Sequence, residues 1–247
     1  MRTAGQRPPA PLVTSAVAWM VDAGRIAAAE RLWRDYGCQC TAPSGERPNV
    51  LALAKLIQGY ARTGSVEKAT AFFHDACAHE AAVASAGRSS HLTGLLNVVL
   101  RSSIRGIAAS GPVPARHDLV LLQIAARFQV PFDTATYNVL FAGLSQEAHV
   151  RVSSAHAAPP RLDNIAQAMH GLYGHMAERD VAPDDVSVAH LLPMWVVLGR
   201  MDLARVLWRR CAGGRPPGTT AQLRGHVLAQ ARRWGVADRI QLLVGAP

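Results

Sequence analysis

Apolar residues in the first third of the chain recur every three or four positions rather than every two. Val13, Val17 and Met20 share one face, Gly24 interrupts them, and Ile26, Ala29, Leu32 and Trp33 resume the same spacing. This is the period of an amphipathic helix broken by a turn. Aligning Gly24 with Gly64, 40 residues on, repeats the arrangement: Leu53, Leu56, Ile57 and Tyr60 precede the glycine, and Val66, Ala69, Phe72 and Phe73 follow it. Each stretch predicts helix, glycine turn, helix, with the glycine supplying the left-handed residue that ends the first helix. Two more stretches share this grammar, DVSVAHLLPMWVVLGRMDLARVLWRRC around Gly199 and AQLRGHVLAQARRWGVADRIQLL around Gly235, 36 residues later. The middle is less regular. HLTGLLNVVLRSSI and DLVLLQIAARF flank a Gly/Pro-rich connection from Gly106 to Pro114, while TATYNVLFAGL and RLDNIAQAMHGLYGHM flank a longer one from Ser145 to Pro160. Read as two further hairpins with inserted loops, these complete an all-α array of about six antiparallel helical hairpins over residues 11–244, between an extension at 1–10 and a tail at 245–247. A hairpin with one apolar side needs a neighbour to cover it, so a row of them predicts an α-solenoid.

Composition supports helices. Only 6% of residues are aromatic against 49% hydrophobic, and alanine recurs in runs such as Ala27-Ala28-Ala29, which suits close helix packing and argues against an all-β fold. No uninterrupted apolar stretch approaches the ~18 residues of a membrane helix; Leu191 to Leu198 is short and contains Pro193. Cys38, Cys40, Cys77 and Cys211 lack metal-site spacing and are too sparse for a disulfide framework, which predicts structural thiols in a reducing compartment. His74/His79 and His170/His175 are five apart, whereas two ligands on one helix face need three or four. No phosphate-binding glycine loop, HExxH or nucleophile elbow occurs. The expectation is therefore a protein that is not an enzyme, with no catalytic residues, no metal, no cofactor, no small-molecule substrate and no membrane partner. Trp33, Trp208 and Trp234 are expected to pack between repeats rather than to stack on bases.

Charge changes the picture more. The chain carries a formal net charge of +9, and its basic side chains are arginine apart from Lys55 and Lys68. Residues 1–199 are close to balanced at +2, whereas residues 200–247 hold nine arginines and only Asp202 and Asp238, a net of +7. A basic block of this kind is a footprint for phosphate backbones or an acidic partner, and the guanidinium fork matches phosphate. A solvated arginine-rich helix face would carry the same composition.

On these residues the chain resembles the pentatricopeptide repeat (PPR) proteins, arrays of helical hairpins with units of about 35 residues. DTATYNVLFAGL resembles the family's first helix, GHMAERDVAPDD the end of its second helix with the following turn, and IQGYARTGSVEKATAFF its mid-repeat turn. Tetratricopeptide repeats share the hairpin plan, but their Trp, Leu-Gly and Tyr signature is not reproduced here. The resemblance implies a right-handed solenoid whose first helices line a concave surface reading single-stranded RNA at roughly one base per repeat. It places base reading at Asn138 with Asp184, as a pyrimidine-like pair, and at Thr14 with Asn49, as a purine-like pair. The same residue types also cap or solvate helix starts. Ala54 and Ala189 hold equivalent positions without any side-chain donor or acceptor. Arg205, Arg209, Arg210, Arg224, Arg232 and Arg233 would grip the RNA backbone without reading sequence. By family, the expected setting is a mitochondrion or plastid, the expected partner is single-stranded or ribosomal RNA, and the expected role is in RNA metabolism or translation. A protein-binding scaffold, such as a structural mitochondrial ribosome subunit or assembly factor, is the alternative.

Overall fold

The computed structural model of the protein describes residues 8–37, 50–83, 90–110, 117–154, 162–213 and 216–245. Among these there are twelve α-helices and no strand: α1 (Ala10–Asp22), α2 (Ile26–Leu32), α3 (Val50–Arg62), α4 (Val66–Val83), α5 (Ser90–Ser110), α6 (His117–Arg127), α7 (Thr134–Ser154), α8 (Asp163–Glu178), α9 (Asp185–Val197), α10 (Met201–Ala212), α11 (Pro217–Arg233) and α12 (Ala237–Gly245). A π-helical turn, Trp33–Gly37, continues α2. Each odd-numbered helix packs against the even-numbered helix after it, which makes six helical hairpins.

The turns show why the chain breaks where it does. Gly24, Gly64, Gly199 and Gly235 all have φ between 64° and 76°, the left-handed region that costs an L-residue about 1–2 kcal/mol. At Gly199 the following amide, that of Arg200, donates back to the Trp195 carbonyl at 2.7 Å while Gly199 N–H donates to Val196 at 3.2 Å. This double bond is a Schellman closure, which satisfies carbonyls the helix end would leave unpaired. The pattern recurs at the other three glycines and, between hairpins, at Gln129 and Asp180, whose φ values are 53° and 55°.

The chain divides into two compact units, Met1–Pro131 and Phe132–Pro247. In the first, α3 lies at the centre and packs on α1, α4 and α5. Leu56, Ile57, Ala69 and Phe73 are completely buried there. Glu30 is buried beside them and is held by Tyr60 Oη, by Lys68 Nζ at 3.2 Å and by an ion pair with Arg34. Burial alone would raise its pKa; the bonds from Tyr60 and Lys68 and the charges of Arg34 and Lys68 outweigh that and keep the carboxyl ionised.

In the second unit the centre is α9, which packs on α7, α10 and α11. It is buried without interruption from Ser187 to Val196 apart from the half-buried His190 and passes through Pro193, at a local cost of about 3 kcal/mol for the lost bond and the ring clash. With only 13 residues, α9 stays far from membrane length, and no helix among the described residues is long and apolar enough to cross a membrane.

Part of each expected loop is helical, while 111–114 and 155–160 lie outside the described residues. α5 runs on to Ser110 and α7 to Ser154, so 106–110 and 145–154 are helical. In α7 no glycine or proline follows Gly143 before Pro159, and Ala148 is completely buried in the core, so packing holds a stretch whose apolar stripe is weak.

Candidate functional site

α7 and α9 begin with the same device. Asp133 accepts from Thr136 N–H at 2.8 Å and Asp184 accepts from Ser187 N–H at 2.9 Å, while each hydroxyl accepts from the amide of its aspartate. These are capping boxes with Thr or Ser in the third position, and they fix both helix starts. Asn138, one turn into α7, donates its amide to both carboxylate oxygens of Asp184, at 2.9 and 3.1 Å, and accepts from Ser187 Oγ at 2.6 Å. Partial burial pushes the Asp184 carboxyl up, but the Ser187 amide and hydroxyl, the Asn138 amide and the Val186 amide together bring it below the ordinary aspartate range.

Asn138 and Asp184, which the PPR resemblance paired for base reading, are each engaged by the other and by the cap. Thr14 lies half-buried on α1. Asn49 lies outside the described residues. Ala54 and Ala189 are both only 6% exposed, so two of the equivalent positions turn into the core.

The arginines separate into two groups. Arg205 and Arg209 of α10, Arg224 of α11 and Arg239 of α12 line one groove of about 720 Å³. Arg205 and Arg209 are four residues apart and share a helix face. Arg210 is rotated about 100° from Arg209 and does not line the groove. Arg224 is anchored by a bond from its guanidinium to the Val244 carbonyl, which ties α11 to the end of α12. Arg232 and Arg233 lie about 12 Å farther along α11 by the rise per residue and are also outside. Arg233 instead acts on His190 of α9: burial lowers the pKa of that imidazole, Arg233 lowers it further, and Asp184 opposes both.

The floor and rim of the groove are apolar: Met201, Trp208, Ala212, Leu242 and Leu243 line it, and Leu242 is 80% exposed. Gly213 closes the end of α10, where an added Cβ would lie 2.6 Å from the Arg209 carbonyl oxygen. Among the described residues no carboxylate pairs with any of the four groove arginines. Arg239 was missed from the sequence because it stands alone on a short helix, and only the packing of three helices reveals its company.

The other candidates have local roles. Trp33 and Trp208 are buried; Trp234 packs edge-on to His149 with centroids 5.4 Å apart. His175 meets Tyr137 Oη through Nδ1 at 2.8 Å. Cys77 and Cys211 are buried and not in a disulfide, and burial together with Glu80 pushes the Cys77 thiol up to about 12. No group of three His, Cys, Asp or Glu side chains with metal-site geometry occurs among the described residues. No protein-family model matches this chain, and no curated protein matches it either.

Proposed function

We propose that this chain is a non-enzymatic RNA-binding protein of helical hairpins arranged as a right-handed solenoid like that of the PPR proteins, acting in organellar RNA metabolism or translation. The observation that carries the reading is the convergence of Arg205, Arg209, Arg224 and Arg239 on one groove in the most basic part of the chain. Phosphate binding by arginine positions a strand without specifying its bases, and that fits the state of the expected reading positions. Asn138 and Asp184 are bonded to each other, and Ala54 and Ala189 are buried. In this reading, contact with the RNA backbone therefore outweighs any base-by-base code. The organellar setting rests on the PPR resemblance.

The same buried alanines and the aliphatic groove floor favour a second reading, a protein-binding scaffold such as a structural mitochondrial ribosome subunit or an assembly factor. The two separate in a titration of the purified chain against a fluorescent single-stranded RNA. The RNA reading expects saturable binding at 50 mM salt, weakened on the order of fifty-fold at 200 mM if four phosphates are neutralised. Absence of binding at 50 mM salt would overturn it in favour of the scaffold.

A further inference from the structure

The side-chain polar groups that line the groove between α10, α11 and α12 are almost all donors. Four guanidiniums and the Trp208 indole donate only; the Thr220 hydroxyl gives its proton to the Pro216 carbonyl at 3.2 Å and is the one polar lining side chain left with lone pairs to offer. Such a lining complements a ligand that offers only acceptors and negative charge. Four cations that no carboxylate pairs with among the described residues also repel one another, and a ligand carrying closely spaced anions relieves that repulsion. The apolar floor and the exposed Leu242 rim add surface that a free inorganic anion would leave wet and a nucleotide's sugar and base would cover.

We infer that this groove is a clamp for consecutive phosphodiesters of a single RNA strand, with Arg205, Arg209, Arg224 and Arg239 on the phosphates and Met201 and Leu242 against the sugar and base. The inference rests on the RNA reading above and deepens it. It adds Arg239 and Leu242 to the interface and removes Arg210, Arg232 and Arg233 from this site. A phosphodiester strand carries one charge on every residue, which suits four cations in one groove better than the scattered carboxylates of an ordinary peptide. Because phosphate contacts carry no base information, the clamp holds uridine and adenosine strands alike.

The test is the salt dependence of binding to fluorescent oligo(U) and oligo(A), measured by anisotropy on the full chain. Each phosphate neutralised contributes a slope of about 0.7 in log affinity against log salt for single strands. A variant carrying Arg205→Ala, Arg209→Ala and Arg239→Ala keeps the Arg224 anchor and is expected to lose about 2 units of slope, equally for both oligomers. Arg210→Ala with Arg232→Ala and Arg233→Ala is expected to leave the slope unchanged. Leu242→Asp, at a position 80% exposed and so harmless to folding, is expected to weaken binding at least about tenfold at 50 mM salt by placing a carboxylate on the rim. If wild type binds RNA but the groove variants keep its slope, or the control variant loses it, the clamp is wrong while the RNA reading stands. If wild type binds no RNA at 50 mM salt, both fail; binding of a polyglutamate peptide abolished by the groove variants would then assign the groove to an acidic protein segment.

Discussion

Single residues decide where this chain turns. Gly24, Gly64, Gly199 and Gly235 sit in the left-handed region, and a Cβ at any of them meets nothing within 4 Å. Alanine there meets backbone strain and no collision. Gly199→Ala is expected to lower stability by about 1–2 kcal/mol, read from urea unfolding. Asp180 occupies the same conformation at φ 55°. Asp180→Gly is expected to raise stability by up to about 1 kcal/mol, the strain relieved less the extra entropy a glycine loses; a loss would contradict the role assigned to the turn. Asp184 adds a pH dependence. Its carboxyl is depressed in the folded chain by the cap and by Asn138, so its stabilisation is fully present above the unfolded aspartate value of about 4 and is lost as the pH falls through the lower folded value. The melting temperature of wild type is expected to decline below about pH 4 more steeply than that of Asp184→Asn. Parallel profiles would show that Asp184 contributes no such stabilisation.

The network that joins elements is testable in the same way. Glu30 of α2 is 7% exposed and is reached by Tyr60 of α3 and Lys68 of α4. Tyr60→Phe leaves the carboxylate one hydrogen bond short in a buried setting and is expected to cost about 1–3 kcal/mol; a neutral result would mean that water or Lys68 replaces the hydroxyl fully. Four hairpins were legible in the sequence because the apolar stripe and the turn glycines carry local, periodic signals, and the middle two from the helical stretches that flank each connection. The Gln129 and Asp180 closures were not legible, since a non-glycine in the left-handed region is imposed by the helices on either side. The reach of α5 and α7 was also hidden: Ser145 to Ser154 lacks a strong stripe and is helical because Ala148 finds the core. At the candidate site, Asn138 and Asp184 were singled out through the PPR resemblance alone, and their bond to each other and to the helix cap was not legible. Arg239 was not found, because three helices must pack before it meets Arg205, Arg209 and Arg224.

At the scale of the whole molecule, the asymmetry of charge is the feature on which the proposed function rests. Residues 200–247 carry +7 of the net +9, and the structure gathers four of the arginines there on one groove, while Arg233 donates to Gln230 Oε1 at 3.5 Å on its own helix. A chain with this distribution is expected to reach polyanions quickly at low salt and to release them as screening shortens the reach of its field. RNA is the polyanion we propose that it meets. Ultraviolet crosslinking in cells, followed by stringent purification of the protein and sequencing of the attached RNA, measures this most directly. Covalently attached RNA well above background is expected, on a few transcripts or on ribosomal RNA, and less of it for Arg205→Ala with Arg209→Ala and Arg239→Ala. Recovery of no RNA above background from intact, expressed protein would contradict it.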